Sequence, residues 1–179
     1  MDTAYWNDKA GVYEDEIFNV WRRDRDGVLA SVFQNGNFKR KTVLDCGCGI
    51  GHGIPTLAES CAHVCAVDIS RDCLAVARDR YGHLPNVEFQ QADLSICRVK
   101  LPSADMAVAV NSVITPSIQT RLKMLKTIGR HLASGGLFVL VVPSLESYYY
   151  AAYKLTEWNL REGASVRPRC RAEALTKGH

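Results

Sequence analysis

A chain of 179 residues, 47% of them hydrophobic, is long enough for one domain with a sizeable core and too polar throughout for a helical membrane protein. No stretch approaches the roughly 18 uninterrupted apolar residues of a membrane span, and the opening MDTAYWNDKAG lacks the basic-then-apolar pattern of a secretory signal, so a cytoplasmic protein is expected. The formal net charge of +3 is the excess of residues 161–179, five Lys/Arg against two Glu, which reads as a solvated basic tail and argues against nucleic acid as a partner.

Over residues 13–33, Ile17, Val20, Trp21, Val28, Leu29, Val32 and Phe33 recur at helical spacing among charges before Asn35-Gly36, which predicts one amphipathic N-terminal helix. Thr42-Val43-Leu44 is a short β-prone run. It leads into VLDCGCGIGHGIPTLA, where glycines at 47, 49, 51 and 53 crowd the end of the strand and Pro55 opens a helical pattern. Residues 64–67 (VCAV) form a buried strand, residues 71–81 a helix capped by Ser70, and residues 87–89 a strand after Pro85-Asn86. ADMAVAV over 104–110 is another apolar strand. Ile118, Leu122, Leu125, Ile128 and Leu132 form one stripe on a helix expected to end at Gly135-Gly136, and LFVLVV over 137–142 is the most apolar strand of all. A helix from about 145 to 160 follows, then the tail, so residues 1–160 read as a single domain.

Continuous apolar strands alternating with amphipathic helices predict an α/β fold, a doubly wound, mostly parallel sheet covered on both faces. The seven cysteines (46, 48, 61, 65, 73, 97 and 170) are an odd count, mostly inside element-like segments; they read as reduced, small buried hydrophobes, and no metal site is expected.

A glycine turn between the first strand and helix of such a sheet lies at its ligand-binding edge. The dinucleotide fingerprint G-x-G-x-x-G fails in the register that starts at Gly47, because His52 stands where the third glycine belongs. Asp45, at the strand's end, would repel a pyrophosphate and tolerate a cationic ligand. At Asp45-Cys46-Gly47-Cys48-Gly49-Ile50-Gly51 the sequence resembles the class I S-adenosylmethionine-dependent methyltransferases, and the likeness continues in order to about Ser144.

The resemblance implies S-adenosyl-L-methionine as cofactor and a methyltransferase acting on a small-molecule acceptor. It implies that Asp45, Gly47, Cys48, Gly49 and Gly51 wrap the methionine end, that Asp68 takes the ribose hydroxyls and that Ile69 lies against adenine. Asp93, followed by Leu94, would take the adenine amino group, and Asn111 with Ser112 would face the meeting point of donor and acceptor. Each has a plainer alternative: Asp68 as a helix N-terminal carboxylate, Asp93 as a turn former, Asn111 and Ser112 as loop hydrogen-bonders. Tyr5, Trp6 and Tyr13 would pack the N-terminal helix or face the sulfonium. Tyr148, Tyr149 and Tyr150 cannot share one helix face, and His52 is expected to be structural. No catalytic residue is singled out, and Asn111-Ser112-Val113-Ile114 is unlike the Asn-Pro-Pro-Tyr run of amine-methylating nucleic-acid enzymes.

The family's sheet ends in a hairpin of sixth and seventh strands, for which residues 161–179 offer no candidate. The fifth strand is therefore expected to expose an edge unless the 145–160 helix, the tail or a second copy in a homodimer covers it. A non-catalytic or truncated S-adenosylmethionine-binding interaction module, and a nicotinamide-dependent oxidoreductase on the same type of sheet, are the alternatives.

Overall fold

The computed structural model describes residues 2–35 and 37–161. Five strands, β1 (Thr42–Cys46), β2 (His63–Asp68), β3 (Val87–Gln91), β4 (Ala104–Val110) and β5 (Leu132–Val141), form one sheet in the order β3-β2-β1-β4-β5. Every pairing is parallel, with Leu44 opposite Cys65 on one side and Ala107 on the other. The fold is the expected doubly wound α/β sheet.

Successive residues of a strand face opposite sides, so an apolar run serves two cores at once. Val43, Val64, Met106 and Val108 pack with Leu57 of α5 (Ile54–Ser60) and with Leu29 and Phe33 of α4 (Val28–Asn35). Ala66 on that face meets Leu74 and Ala77 of α6 (Arg71–Tyr81). Leu44, Cys46, Cys65, Val67 and Ala107 look the other way, onto Met124 and Ile128 of α7 (Ile118–His131). Cys46, Cys48, Cys61, Cys65 and Cys73 are buried, and burial pushes the Cys65 thiol up to about 12 and Cys73 to about 11. Cys97 is exposed, and Cys170 lies outside the described residues.

Local chemistry sets several boundaries. The Ser70 hydroxyl accepts from the Cys73 amide (3.0 Å) at the start of α6, and Ser117 accepts from the Thr120 amide (3.2 Å) at the start of α7. Two expectations are corrected. The single helix over residues 13–33 is three pieces, α2 (Tyr13–Glu16), α3 (Val20–Arg23) and α4, preceded by α1 (Thr3–Lys9) and a 3-10 turn at Ala10–Val12. The breaks have causes: Ile17 is extended, the Asn19 side chain caps α3 by accepting from the Arg22 amide, and Gly27 has φ +64°. The helix expected to reach Gly135-Gly136 ends at His131, because Leu132 already pairs with Ala104. Residues 133–136 form an irregularity before Leu137 resumes the register at Met106, and Gly135 there has φ +75°.

β5 is an outer strand, and Leu137 and Leu140 on it are exposed. The final helix, α8 (Leu145–Arg161), leaves Tyr149, Tyr150, Tyr153 and Trp158 exposed and does not bury the edge. Among the described residues no strand follows β5, as expected; the 161–179 tail lies, beyond Arg161, outside them.

Candidate functional site

The C-terminal ends of β2, β1 and β4 stand side by side, and a parallel sheet collects its ligands at that edge. A cavity of about 290 Å³ opens there. Its floor carries Asp68 from the end of β2, Asp45 from β1, and Val110 and Asn111 from the end of β4. Asn111 has φ +52°, the one described non-glycine residue in that region, with its amide donating to the Val141 carbonyl (2.9 Å).

The glycine loop is tied to β2 by its backbone: the Gly47 and Cys48 amides both donate to the Val67 carbonyl (2.7 and 3.0 Å). The Gly49 amide donates to the Asp68 carboxylate (2.8 Å), whose other oxygen accepts from the Ser70 amide (2.8 Å). Gly47, Gly49 and Gly51 have φ of +79°, +54° and +90°, where glycine alone is unstrained. The expected close approach is real, but protein side chains make much of it. A Cβ on Gly47 would lie 2.3 Å from the Ser112 Cβ, one on Gly49 2.5 Å from the Tyr13 hydroxyl, and one on Gly53 2.6 Å from the Trp21 indole. Gly51 serves packing behind the loop, against Ile54 and Tyr81.

Asp45 and Asp68 set the electrostatics. Asp45 is buried, and its Oδ2 has no hydrogen-bond partner among the described residues. Burial pushes its carboxyl up to about 7, with the nearby Asp68 charge adding to the rise. Burial also raises Asp68, against which the amides of Ser70 and Gly49 stabilise its charge. A buried carboxylate oxygen with no donor takes up either a proton or a cationic partner, and Asp45 is one of the residues that line the cavity.

Of the residues expected at the site, Asp45, Gly47, Cys48, Asp68, Ile69, Leu94, Asn111 and Ser112 line this one cavity. Gly49, Gly51 and Asp93 are not in its wall. Asp93 uses Oδ1 to accept from the Ser95 amide (2.8 Å) and hydroxyl (2.6 Å), the turn-forming alternative. The Ser112 hydroxyl donates to the Cys46 carbonyl, joining the β4 loop to the end of β1.

Part of the roof was expected, since Trp6 and Tyr13 were candidates to face the ligand; the bend that brings residues 16–21 over the cavity was not. Trp6, Tyr13 and residues 16–21 line the cavity opposite the sheet edge. They are held down by the Ser70 hydroxyl donating to Asn7 (2.7 Å) and by Glu14, which accepts from Arg80 (2.8 Å) and pairs with His52 (3.1 Å). His52 meets the Tyr13 ring edge-on with centroids 5.8 Å apart and also lines the cavity. The Tyr13 hydroxyl has no hydrogen-bond partner among the described residues, and burial holds its pKa above the ordinary tyrosine value. Asn19, a capping residue in the middle of an otherwise helical pattern, was the available signal that the roof bends there.

Residues 43–136 match the family described as Methyltransferase domain, more than half of the chain. The chain belongs to that family. A probable S-adenosylmethionine-dependent methyltransferase of Mycobacterium tuberculosis (strain CDC 1551 / Oshkosh) is 32% identical over 129 residues, 72% of this chain and 44% of the relative. A similarly named protein of Mycolicibacterium smegmatis is 28% identical over 104 residues, 58% of this chain and 38% of that protein. This methyltransferase-domain chain thus spans less than half the length of the curated relatives it matches. Among solved structures, a DhpI–SAH complex superposes with TM-score 0.65 at 24% identity, covering 79% of this chain and 68% of that one. Phosphoethanolamine N-methyltransferase 1 of Haemonchus contortus, in complex with phosphoethanolamine and S-adenosylhomocysteine, gives 0.60 at 21%, covering 78% and 33%. At these identities the likeness is one of fold.

Proposed function

We propose that the chain is an S-adenosylmethionine-dependent methyltransferase acting on a small-molecule acceptor, with the cavity at the ends of β2, β1 and β4 as its cofactor site. The observation that carries this reading is the unpartnered Oδ2 of Asp45, buried in a wall whose glycines keep backbone close. An amino-acid ammonium satisfies that oxygen, whereas the pyrophosphate of a nicotinamide cofactor is repelled by it. The unpartnered, protonated Tyr13 hydroxyl is a donor suited to the carboxylate of the same amino acid. Asp68 keeps lone pairs beyond the two amide bonds it accepts, enough for ribose hydroxyls, and Ile69 and Leu94 supply apolar surface for a base. Two relatives are named as probable S-adenosylmethionine-dependent methyltransferases, which agrees with this assignment.

When bound, S-adenosylmethionine supplies a methyl carbon whose bond to sulfur breaks as an acceptor lone pair bonds to it; the breaking bond's electrons stay on sulfur and the acceptor's proton passes to water. The protein's share is positioning and exclusion of water. Trp6, Tyr13, Ile17 and Trp21 roof the cavity, and Asn111 faces it from the end of β4.

We read residues 1–160 as one cofactor-binding domain and 161–179 as a basic tail, and the protein as cytoplasmic. No described helix is long and apolar enough to cross a membrane. The exposed β5 edge and the apolar side chains of α8 favour a second copy or partner covering that side, and they are also what favours the alternative of a non-catalytic binding module. Methyl transfer from labelled S-adenosylmethionine to any member of a small-acceptor panel supports the enzyme. S-adenosylhomocysteine binding with no turnover across the panel favours the module.

A further inference from the structure

The cavity changes character along its length. At the β2 and β1 end stand the two carboxylates, Asp68 and Asp45. Toward β4 the floor becomes the neutral amide of Asn111, whose side chain makes no hydrogen bond among the described residues. The walls on either side are apolar: Ile17, Phe18 and Val20 from the roof, and Ile114 from the loop after β4. Phe18 is 67% exposed and Ile114 45% exposed although both belong to the cavity wall, so each has apolar surface to give to a bound molecule.

Charge sharpens this picture. No lysine or arginine among the described residues lines the cavity; its ionisable lining is Asp45, Asp68, Glu16, Tyr13, Cys48, Cys73 and His52. Glu16 is met by Lys9, and His52 by Glu14. An acceptor's phosphate or carboxylate entering beside Asn111 would leave water for a wall that offers it no cation, the Tyr13 hydroxyl being the donor assigned to the cofactor's own carboxylate. Sites built to hold phosphate supply arginine or lysine for it.

We infer that the methyl acceptor is an amine with an apolar body, seated against Phe18 and Ile114 with its amino group at the Asn111 side-chain amide, and that anionic acceptors are rejected. This rests on the cofactor assignment above and deepens it. It also sets the chain apart from its fold neighbour that was solved with phosphoethanolamine, a phosphorylated acceptor.

The test separates the two claims. Titrating the full chain with S-adenosylhomocysteine reads the cofactor assignment alone, and absence of binding there removes both. The chain saturated with S-adenosylhomocysteine is then titrated with matched probes that share a body and differ by one carboxylate: tryptamine against tryptophan, tyramine against tyrosine, and phosphoethanolamine as the phosphate case. The expected result is that at least one amine binds ten-fold or more tighter than its amino-acid counterpart and that phosphoethanolamine does not bind. Phe18→Ala and Asn111→Ala each weaken that amine at least five-fold, with S-adenosylhomocysteine still bound in the Phe18→Ala protein. Equal or tighter binding of the amino acids or of phosphoethanolamine overturns the inference. So does a saturated protein that binds none of the amines.

Discussion

Replacing Asp45 by asparagine tests the electrostatics of the site in both directions. In the free protein burial pushes the Asp45 carboxyl up to about 7 from the ordinary 3.8 of an aspartate. Its folded pKa lies above its unfolded one, so its contribution to stability is fully present below about pH 4 and is lost as pH rises toward 7. Three units at about 1.4 kcal/mol each amount to about 4 kcal/mol of stability missing at pH 8. Asp45→Asn removes the charge and recovers part of this, about 1–3 kcal/mol, because the buried amide still lacks a partner. The melting temperature of the free variant at pH 8 is therefore above that of the parent chain. Ligand binding moves the other way. If the ligand's ammonium pairs with ionised Asp45, affinity scales with the ionised fraction and is about 25-fold weaker at pH 5.5 than at pH 7.5. Calorimetric titration with S-adenosylhomocysteine across that range reads the slope, and Asp45→Asn flattens it while weakening binding at pH 7.5. A pH-independent affinity in the parent chain, or undiminished affinity in the variant, refutes the pairing.

Further substitutions separate the roof, the floor and the core. Asp68→Ala loses a carboxylate that the ribose hydroxyls would use, costing about 2–4 kcal/mol of S-adenosylhomocysteine affinity by calorimetry; unchanged affinity removes Asp68 from the site. Tyr13→Phe deletes an unpartnered hydroxyl and keeps the ring on the Gly49 loop, so affinity falls by about 1 kcal/mol with the melting temperature nearly unchanged; a large drop in melting temperature would make the hydroxyl structural. Gly49→Ala places a Cβ at φ +54° and 2.5 Å from the Tyr13 hydroxyl, so it costs about 1–3 kcal/mol in denaturant unfolding and displaces the roof, read as changed tryptophan fluorescence; a neutral outcome contradicts the packing. Ile128→Ala, under the sheet and away from the cavity, costs about 2–5 kcal/mol of stability and leaves the affinity of the folded protein unchanged.

The sheet was legible because its signals are local. Strands buried on both faces must be apolar throughout, which marked residues 64–67, 104–110 and 137–142, and Ser70 ahead of a helical stripe is chemistry readable within one turn. The N-terminal pieces were not separated because helical periodicity summed over residues 13–33 survives two breaks; the cap at Asn19 and the turn at Gly27 decide those locally. The end of α7 depends on Leu132 pairing with Ala104, a contact distant in sequence that no local pattern announces. At the site, the glycines showed that something comes close, not what: Ser112, Tyr13 and Trp21 arrive from three other segments. The orphaned oxygen of Asp45 exists only through burial, so its raised pKa is a property of the fold.

The central claim is that this cavity holds the amino-acid end of S-adenosylmethionine beside Asp45, and the most direct measurement is calorimetric titration of the full chain with S-adenosylhomocysteine, with NADH as the control ligand. Saturable, one-to-one micromolar binding of S-adenosylhomocysteine and none of NADH is the expected result. Binding of NADH, or of neither ligand, would contradict it.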